Sequence, residues 1–588
     1  MKSFFKMFFA ALLALVVFAA LAFFILVGIV SSAVSSGKDV SVKNNSVLVL
    51  DLNNPLREQN FTNPLNALFN RGNVTIQGLH EVTAAIRNAA GDDHIKGIYL
   101  KLNGDPNGFA TGEELRRALL AFKRSGKFIY GYGSVIPQKA YYVASVADKV
   151  FLNPVGMLDF SGFSTQMIFL KGALDKLEIK PQIFFEGKYK SATEPLRVTQ
   201  MTSANRVQTT EYLGNLYRHF LLGVSEGRNI DTATLFRDAN DGLIRTAYDA
   251  QKYGLVDGLK YDDEVMDAIR DKIGIAKNDE INFMDVSRYA RVHSGDDQGS
   301  ADKIAVLYAQ GDIVSGEGSG DGAPVISSGN YIKLIRKLRG DSSVKAIVFR
   351  VNSPGGSALA ADEIWRELLL TKQVKPVVVS MGDYAASGGY YISSMADSIF
   401  AEAGTLTGSI GVFGIIPDLQ SFFKNKLGVT FDGVKTARYA DMGSISRPLT
   451  PVEKQFIQSD VDSVYATFKS RVEDGRHLSA AVVDSIAQGR VWSGVDALKL
   501  GLVDRLGGLK AAISCAAHMA HLSAYATREY PEPQATFEKL FDQLTGDVQS
   551  RMIKRQLGSS YDVYRELRRI TRTSGEVLAR LPYDITVN

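Results

Sequence analysis

The feature that most constrains this chain is an internal duplication. Residues 95–148 align with residues 344–397 at a constant offset of 249 positions, without a gap, and 14 of the 54 aligned pairs are identical. Unrelated segments of this length share about three identities at ordinary composition. A fold repeated in tandem explains the excess. The length of 588 residues independently predicts several domain-sized units.

Both copies carry the same order of predicted elements. Apolar runs at 98–102 and 347–351 are typical of strands, and helical segments follow at 113–123 and 362–372. A short buried strand, another helix and a further strand, the last at 149–152 and 398–401, come next in the two copies. Repeated β-α-β units of this kind predict an α/β fold with parallel strands. We therefore expect two tandem α/β domains.

The first difference between the copies lies in the loop after strand 347–351. This loop ends in Gly355 and Gly356, whereas the first copy has Asn-Gly-Asp-Pro-Asn at 103–107. Paired glycines let backbone N–H groups face a ligand without obstruction, which an oxyanion hole requires. Taken alone, a Pro-Gly-Gly tripeptide is a weak signal, because most such tripeptides are ordinary turns. The two glycines are therefore candidate oxyanion donors.

The second difference supplies a candidate nucleophile, Ser387. It stands in MGDYAASGGYY (381–391), after a predicted buried strand and at the start of a predicted helix. Backbone donors and the positive helix end stabilise developing negative charge at such a position. The equivalent residues 138–140 (Gln-Lys-Ala) offer neither a nucleophile nor paired glycines. Taken alone, the serine is better explained as a small residue that permits close helix packing.

A nucleophilic serine needs a base, and lysine is the candidate here. No histidine lies between positions 294 and 476, so a histidine triad would require long-range folding. A lysine serves when burial lowers its pKa toward neutrality. Lys190 follows the apolar run 181–185, and the second copy has Tyr439 in its place. Each half thus keeps one member of a Ser/Lys pair and lacks the other.

A third segment, GTLTGSIG (404–411), contributes Ser409. Its hydroxyl group could hydrogen-bond the lysine amine and hold it toward Ser387, and the approximate equivalent in the first copy is Phe160. Taken alone, the segment is a glycine-bearing strand and turn.

Four segments, together with an apolar N-terminus, resemble peptidase family S49 in its long bacterial signal-peptide-peptidase form, which has tandem ClpP/crotonase-like domains. The four segments are GKYKSATEP (187–195), NSPGGS (352–357), MGDYAASGGYY (381–391) and GTLTGSIGV (404–412). The resemblance implies that Ser387 is the nucleophile and Lys190 the general base. It also implies that Ser409 orients the lysine, and that backbone donors near Gly356 and at Gly388 bind the oxyanion.

The same resemblance implies an activity and an assembly. The expected activity is that of a serine endopeptidase that degrades remnant signal peptides and other short, unfolded, apolar peptides, with no cofactor and no metal ion. The expected assembly is a homo-tetrameric ring or bowl. Two rival functions stay open: a catalytically silent ring scaffold, and a crotonase-like acyl-CoA enzyme that shares the fold and its oxyanion glycines.

The N-terminus predicts a membrane anchor. Lys2 and Lys6 precede an uncharged run whose densest apolar part, Phe8–Val30, would span about 35 Å as a helix. That length is enough to cross a hydrocarbon core of roughly 30 Å. Ala33–Ser35 resembles a signal-cleavage site, so removal of the segment is the alternative. The leading lysines place the N-terminus in the cytoplasm. We expect a bacterial inner-membrane protein with its catalytic domains on the periplasmic side.

Composition excludes several other classes. A net charge of +4 gives no global field that points to nucleic acid. The single cysteine, Cys515, rules out an intramolecular disulfide framework and a cysteine-based metal cluster. The seven histidines form no HExxH pattern, which argues against a metalloprotease.

The expected organisation has five parts, and the last of them has no assigned role. Residues 551–580 carry eight basic and three acidic side chains, which is typical of a solvated surface helix or, less commonly, of a membrane-contacting one. The predicted parts are the cytoplasmic stub and anchor (1–37), a domain with the lysine (45–290), a polar linker (291–302), a domain with the serine (303–525) and a basic, partly helical tail (526–588).

Overall fold

The computed structural model describes residues 41–62, 75–76, 78–293, 300–318, 324–532 and 575–581, together with scattered positions between 4 and 21 and residue 556. Most of the predicted anchor and most of the predicted basic tail lie outside these residues. Within the described ranges, no helix is both long and apolar enough to cross a membrane.

The first half is built on a parallel sheet. The strands of this half are β1 (Ser46–Asp51), β2 (Phe61–Thr62), β3 (Thr75–Ile76), β4 (Ile95–Lys101), β5 (Phe128–Ile136), β6 (Lys149–Leu158), β7 (Lys180–Glu186), β8 (Gly258–Leu259) and β9 (Asn282–Asp285). The sheet has the spatial order β8-β6-β5-β4-β1-β9, and every pairing between its strands is parallel. The helices are α1 (Leu79–Ala89), α2 (Phe109–Lys123), α3 (Gln138–Ala144), α4 (Lys171–Lys176), α5 (Glu194–Arg197), α6 (Ser203–Arg228), α7 (Thr232–Asn240), α8 (Ala247–Lys252), α9 (Asp262–Ile273) and α10 (Val286–His293).

The second half repeats this plan. The strands are β10 (Lys303–Gln310), β11 (Asp312–Val314), β12 (Val325–Ser327), β13 (Val344–Ser353), β14 (Gly355–Ser357), β15 (Val377–Ala386), β16 (Ser398–Ala401), β17 (Leu406–Gly408), β18 (Val412–Asp418), β19 (Val491–Ser493), β20 (Arg505–Leu506), β21 (Ala526–Tyr530) and β22 (Val577–Arg580). The main sheet has the order β19-β17-β15-β13-β10-β21, and β16, which pairs with β15, carries β20 on its other side. The helices are α11 (Ser328–Gly340), α12 (Ala358–Lys372), α13 (Gly388–Ser393), α14 (Gln420–Phe422), α15 (Pro451–Arg476), α16 (Ala480–Ile486), α17 (Gly494–Lys499) and α18 (Leu509–Met519).

The duplication is visible in the elements themselves. The bounds of α12 are those of α2 shifted by 249 positions, and α13 begins one position after the shifted start of α3. The predicted α/β fold with parallel strands is therefore confirmed. The second sheet also takes in β21, which lies beyond the predicted domain end at residue 525, because β21 pairs with β10.

A third, mixed sheet joins the two halves. Its order is β12-β11-β14-β22-β18-β7, so β7 of the first half forms its edge, beside β18 of the second half. These two strands pair antiparallel from Val412 opposite Glu186 to Asp418 opposite Lys180. This pairing sets the position of the chain that follows β7, which is the segment with Lys190.

A buried ion cluster also connects the halves. Arg350 on β13 is fully buried, and its Nε donates to Glu58 Oε2 at 2.7 Å. Its Nη2 lies 2.7 Å from Glu114 Oε1 on α2. Burial raises the pKa of the Glu58 carboxyl group, and the Arg350 guanidinium opposes that shift. Buried charges persist only when paired and hydrogen-bonded, so this cluster ties the first half to the sheet that carries the serine.

Candidate active site

Ser387 occupies a strained junction between β15 and α13. Its backbone has φ 55° and ψ −114°, an unusual conformation for a residue other than glycine. The Ser387 N–H donates to the Gly408 carbonyl at 2.7 Å, and its own carbonyl accepts from Tyr391 N at 2.8 Å in the first turn of α13. Strain held by surrounding hydrogen bonds is common at functional sites. The junction fixes the side chain at the end of a buried strand and the start of a helix.

Lys190 arrives from the first half on a tight turn after β7. Gly187 has φ 108°, and a Cβ on it would lie 2.6 Å from the Gln488 backbone. Gly489 has φ 72°, and a Cβ there would lie 2.7 Å from the Lys190 Cβ. Tyr189 N–H donates to the Gln488 carbonyl at 2.7 Å. The two turns, one from each half, therefore fit together only because both contain glycine.

The structure brings the three predicted side chains together inside one chain. Lys190 Nζ lies 2.8 Å from Ser387 Oγ, although 197 positions separate the two residues. The same Nζ lies 3.1 Å from Ser409 Oγ and 3.2 Å from the Ser409 carbonyl oxygen. The backbone of Ser409 is itself fixed: its φ is 51°, and its N–H donates to the Arg490 carbonyl at 2.6 Å. Lys190 Nζ thus lies between the Ser387 hydroxyl group and two polar groups of Ser409.

The surroundings of Lys190 favour its neutral form. Its side chain is 1% exposed, and burial lowers its pKa well below the ordinary value for lysine, with a further contribution from the Arg580 guanidinium. Within the described residues, no carboxylate is among the groups that shift this pKa. A buried amine without a counter-charge loses its proton more readily than an exposed one. Neutral Nζ has a lone pair for the Ser387 hydroxyl proton.

The three candidate oxyanion glycines lie against one another. A Cβ on Gly388 would lie 3.2 Å from both Gly355 Cα and Gly356 N. A Cβ on Gly355, where φ is 101°, would lie 2.8 Å from Gly388 N. The backbone N–H groups of Gly388, which follows Ser387, and of Gly356 in β14 therefore border one small space. Only glycine leaves that space open, which matches the requirement of an oxyanion site.

We expect Gly388→Ala to reduce kcat/KM for a peptide substrate by about 100-fold or more, because the added methyl group occupies the space where the oxyanion would form. The matched control is Gly214→Ala, a glycine within helix α6 whose Cβ would meet nothing within 4 Å. Steady-state kinetics of both variants check the prediction. Equal activity of Gly388→Ala and the parent protein would show that this space is not used.

Sequence reasoning missed two parts of the site. One is the loop Gln488–Arg490, which supports both Lys190 and Ser409. The other is the strand β22, which comes from the predicted tail and lies between β14 and β18. The glycine in Ala-Gln-Gly-Arg (487–490) is the sequence feature that could have indicated this loop. Nothing in the local pattern of residues 577–580 points to a place beside the glycines.

Comparison with known proteins gives a consistent result. The profile of peptidase family S49 matches twice, at residues 121–276 and 370–523. Protease 4 of Salmonella typhi is 36% identical over 552 residues, which cover 90% of this chain and 87% of that protein. The chloroplastic serine protease SPPA of Arabidopsis thaliana is 34% identical over 489 residues, which cover 82% of this chain and 70% of that protein.

A third relative and one solved structure complete the comparison. Protease 4 of Haemophilus influenzae is 36% identical over 451 residues, which cover 74% of this chain and 72% of that protein. A ClpP1 variant from Listeria monocytogenes is 13% identical, with a TM-score of 0.24 over 35% of this chain and 94% of that chain. A TM-score this low supports no conclusion about this chain.

Proposed function

We propose, from the premise that this chain belongs to peptidase family S49 and is a serine protease, that Ser387 is its nucleophile and Lys190 its general base. The observation that carries the proposal is the 2.8 Å separation of Lys190 Nζ and Ser387 Oγ in a buried site. Ser409 is the positioning residue, because its hydroxyl and carbonyl groups accept the two hydrogens of a neutral amine and direct the lone pair to Ser387.

The chemistry is acyl transfer in two steps. Ser387 Oγ attacks the scissile carbonyl carbon while its proton passes to Lys190 Nζ, and backbone N–H groups at Gly356 and Gly388 bind the oxyanion. The peptide C–N bond then breaks, and Lys190 returns the proton to the leaving amine. Water attacks the acyl-enzyme by the same route and releases the new carboxylate. Every group in this scheme belongs to the chain itself.

The proposed substrates are short, unfolded, apolar peptides, with remnants of cleaved signal peptides as the natural class. Support comes from the groove between β14 and β18, in which the extended strand β22 of this chain pairs with both neighbours. Such a groove binds backbone in the extended conformation, which folded proteins do not offer. The segments shared with the signal-peptide-peptidase form, and the ClpP/crotonase-like plan that this likeness implies, point the same way.

We propose an inner-membrane location, with the catalytic domains on the periplasmic side. Support comes from the uncharged run that follows Lys2 and Lys6 and from the length of its apolar part, Phe8–Val30. A tethered enzyme would meet signal-peptide remnants where they are produced, at the membrane surface.

The proposed assembly is a closed homo-tetramer, and the duplication supplies the argument for it. Within one chain, α2 packs on the second half: Thr111 Oγ1 donates to Asp383 Oδ2 at 2.9 Å, and Glu113 accepts from Gly404 N at 2.7 Å. At the two ends of the repeat the equivalent surfaces are exposed in part, although Ala360, the counterpart of Thr111, is buried. Val155, the counterpart of Gly404, is 88% exposed, and Leu359 on α12 is 65% exposed. A second copy could cover both surfaces with the same geometry, and repetition would close a ring.

We expect Val155→Asp or Leu359→Asp to convert the assembly to a smaller species, because each places a charge in the proposed apolar contact. Sedimentation velocity measures the result. Val374→Asp is the matched control, since Val374 is 64% exposed but lies outside both surfaces. An unchanged sedimentation coefficient for both test variants would exclude this interface.

The proposed function is tested by the pH dependence of peptide hydrolysis. Only neutral Lys190 accepts the serine proton, so kcat/KM should rise with pH until the lysine is deprotonated and then level off. Burial lowers the pKa of Lys190 well below its ordinary value, so the plateau should be reached well below pH 10.5. An unstructured apolar peptide assayed from about pH 5 to about pH 11.5 gives the profile. A rise centred near pH 10.5, or no hydrolysis by the assembled protein, would contradict the proposal.

A further inference from the structure

One buried side chain on helix α6 reaches the turn that carries Lys190. Gln208 is 2% exposed, and its Nε2 donates to the Tyr189 carbonyl at 3.0 Å and to Ser191 Oγ at 3.1 Å. Tyr189 and Ser191 are the residues directly before and after Lys190. A single amide group therefore holds the backbone on one side of the lysine and a side chain on the other.

The same amide group also binds the loop that supports Ser409. The Val491 N–H donates to Gln208 Oε1 at 3.1 Å. Val491 directly follows the loop Gln488–Arg490, whose last carbonyl accepts from the Ser409 N–H at 2.6 Å. A backbone N–H can only donate, so this bond establishes which end of the amide is oxygen and which is nitrogen. Gln208 thus connects the segment with the lysine to the loop that fixes Ser409.

The hydrogen-bond partners of Gln208 within the described residues are all uncharged. One of them is Asn205, whose Oδ1 accepts from Gln208 Nε2 at 3.1 Å and whose Nδ2 donates to the Glu194 carboxylate at 2.8 Å. A neutral amide therefore stands between Gln208 and that carboxylate. Contacts of this kind hold the turn in place without adding a negative charge that would stabilise protonated Lys190.

The duplication indicates that this contact belongs to the lysine. Helices α6 and α15 have the same length and follow a threonine cap, and their bounds differ by 248 positions. The counterpart of Gln208 is therefore Phe456, while the counterpart of Lys190 is Tyr439. The rings of Phe456 and Tyr439 pack with centroids 5.2 Å apart. This position on the helix faces the turn in both halves, and it is an amide only where the turn carries the lysine.

Resting on the proposed function, we propose that Gln208 is a positioning residue for Lys190. By holding both neighbours of the lysine and the loop that fixes Ser409, its amide group sets how far Lys190 Nζ lies from Ser387 Oγ. Its own hydrogen bonds in the described structure do not reach Ser387, so its effect passes through the lysine. Misplacement of a catalytic group by about 1 Å can cost about 100-fold in rate. The contact should therefore govern turnover and not peptide binding.

Gln208→Met tests the proposal, because it keeps the length of the side chain and removes its hydrogen bonds. For an unstructured apolar peptide, kcat should fall about 10- to 100-fold while KM changes less than about threefold. Phosphonylation of Ser387 by a fluorophosphonate should slow by a similar factor and still reach the final yield of the parent protein. A full yield shows that the sites are intact, so the slower rate reports on the base. Parent values of kcat and of the labelling rate in Gln208→Met overturn the proposal.

Gln208→Glu separates the donor bonds from the acceptor bond. Its carboxylate still accepts from the Val491 N–H but has no hydrogen to donate to the Tyr189 carbonyl, so kcat should fall as it does in Gln208→Met. The same kcat in Gln208→Glu and the parent protein would mean that the bond to the lysine turn is not used, and it overturns the proposal.

The matched control is Asn215→Leu. Asn215 lies two turns further along α6, and its Nδ2 donates to Ser493 Oγ at 3.2 Å, so it also joins the two halves but does not contact the lysine turn. This variant should keep kcat within about threefold. An equal loss in Asn215→Leu and Gln208→Met would attribute the effect to the junction between the halves and overturn the proposal. If the parent protein itself neither hydrolyses the peptide nor reacts at Ser387, the proposed function fails, and the role of Gln208 fails with it.

Discussion

Ser387→Ala is expected to reduce kcat/KM for an unstructured apolar peptide by about 10⁴-fold or more, which is typical of loss of a nucleophile from a serine protease. Lys190→Ala should cost a similar factor, because Nζ lies 2.8 Å from Ser387 Oγ and no other base among the described residues is within hydrogen-bond reach of that oxygen. The double variant should be no worse than either single one, since groups that act as a unit give non-additive losses.

Two further variants separate chemistry from damage to the fold. Lys188→Ala removes an exposed lysine from the same turn and should leave kcat/KM within about twofold, as surface changes usually do. Ser409→Ala should cost less than Lys190→Ala, because the Ser409 carbonyl still accepts from the amine at 3.2 Å. Retention of more than one-hundredth of parent activity by either dyad variant would mean that the nucleophile or the base has been assigned wrongly.

Arg350→Met is expected to destabilise the fold by about 3–5 kcal/mol, because it removes one partner of a buried ion cluster and leaves the carboxylates of Glu58 and Glu114 uncompensated. Ser380 Oγ and the Met381 carbonyl would also lose a donor. The expected observation is a lower denaturant midpoint for loss of the native fold. The matched control, Arg336→Met, removes a surface partner of Glu367 and should cost no more than about 1 kcal/mol.

The pH dependence of the stability lost in Arg350→Met identifies the cause of that loss. Burial raises the pKa of Glu58, and loss of the guanidinium would raise it further. The defect should therefore shrink as pH falls and the carboxyl group becomes protonated, because a neutral carboxyl is less costly to bury. A defect that stays constant from pH 8 to pH 5 would attribute the loss to packing and not to charge.

Much of the second half follows from its apolar pattern. The predicted strand at 398–401 is observed with the same bounds. The helix predicted at 362–372 begins earlier, at Ala358, because the Ser357 side chain caps it by accepting from Ala360 N. A cap is a polar signal that apolar periodicity does not contain. Apolar periodicity therefore predicts where an element lies in the sequence, but it does not predict the residue at which a helix begins.

The duplication supplied what local patterns lacked for the site. Each half had kept one polar residue where the other had lost it, and this complementarity singled out Ser387 and Lys190 although they are far apart in the chain. The pairing of β7 with β18 and the entry of β22 beside Gly355–Gly356 were not predictable in this way. Both strand pairings join segments separated by more than 200 residues, and the residues that flank these strands contain no pattern that indicates the partner strand.

The central claim, that one chain forms a Ser/Lys dyad from its two halves, is tested most directly by identifying the residue that a fluorophosphonate phosphonylates. The full-length protein would be labelled, digested and mapped by mass spectrometry, with Lys190→Ala and Lys188→Ala treated in parallel. The prediction is a single adduct on Ser387, formed at the parent rate in Lys188→Ala and strongly slowed in Lys190→Ala. An adduct on a different serine, or labelling of Ser387 that does not depend on Lys190, would contradict the claim.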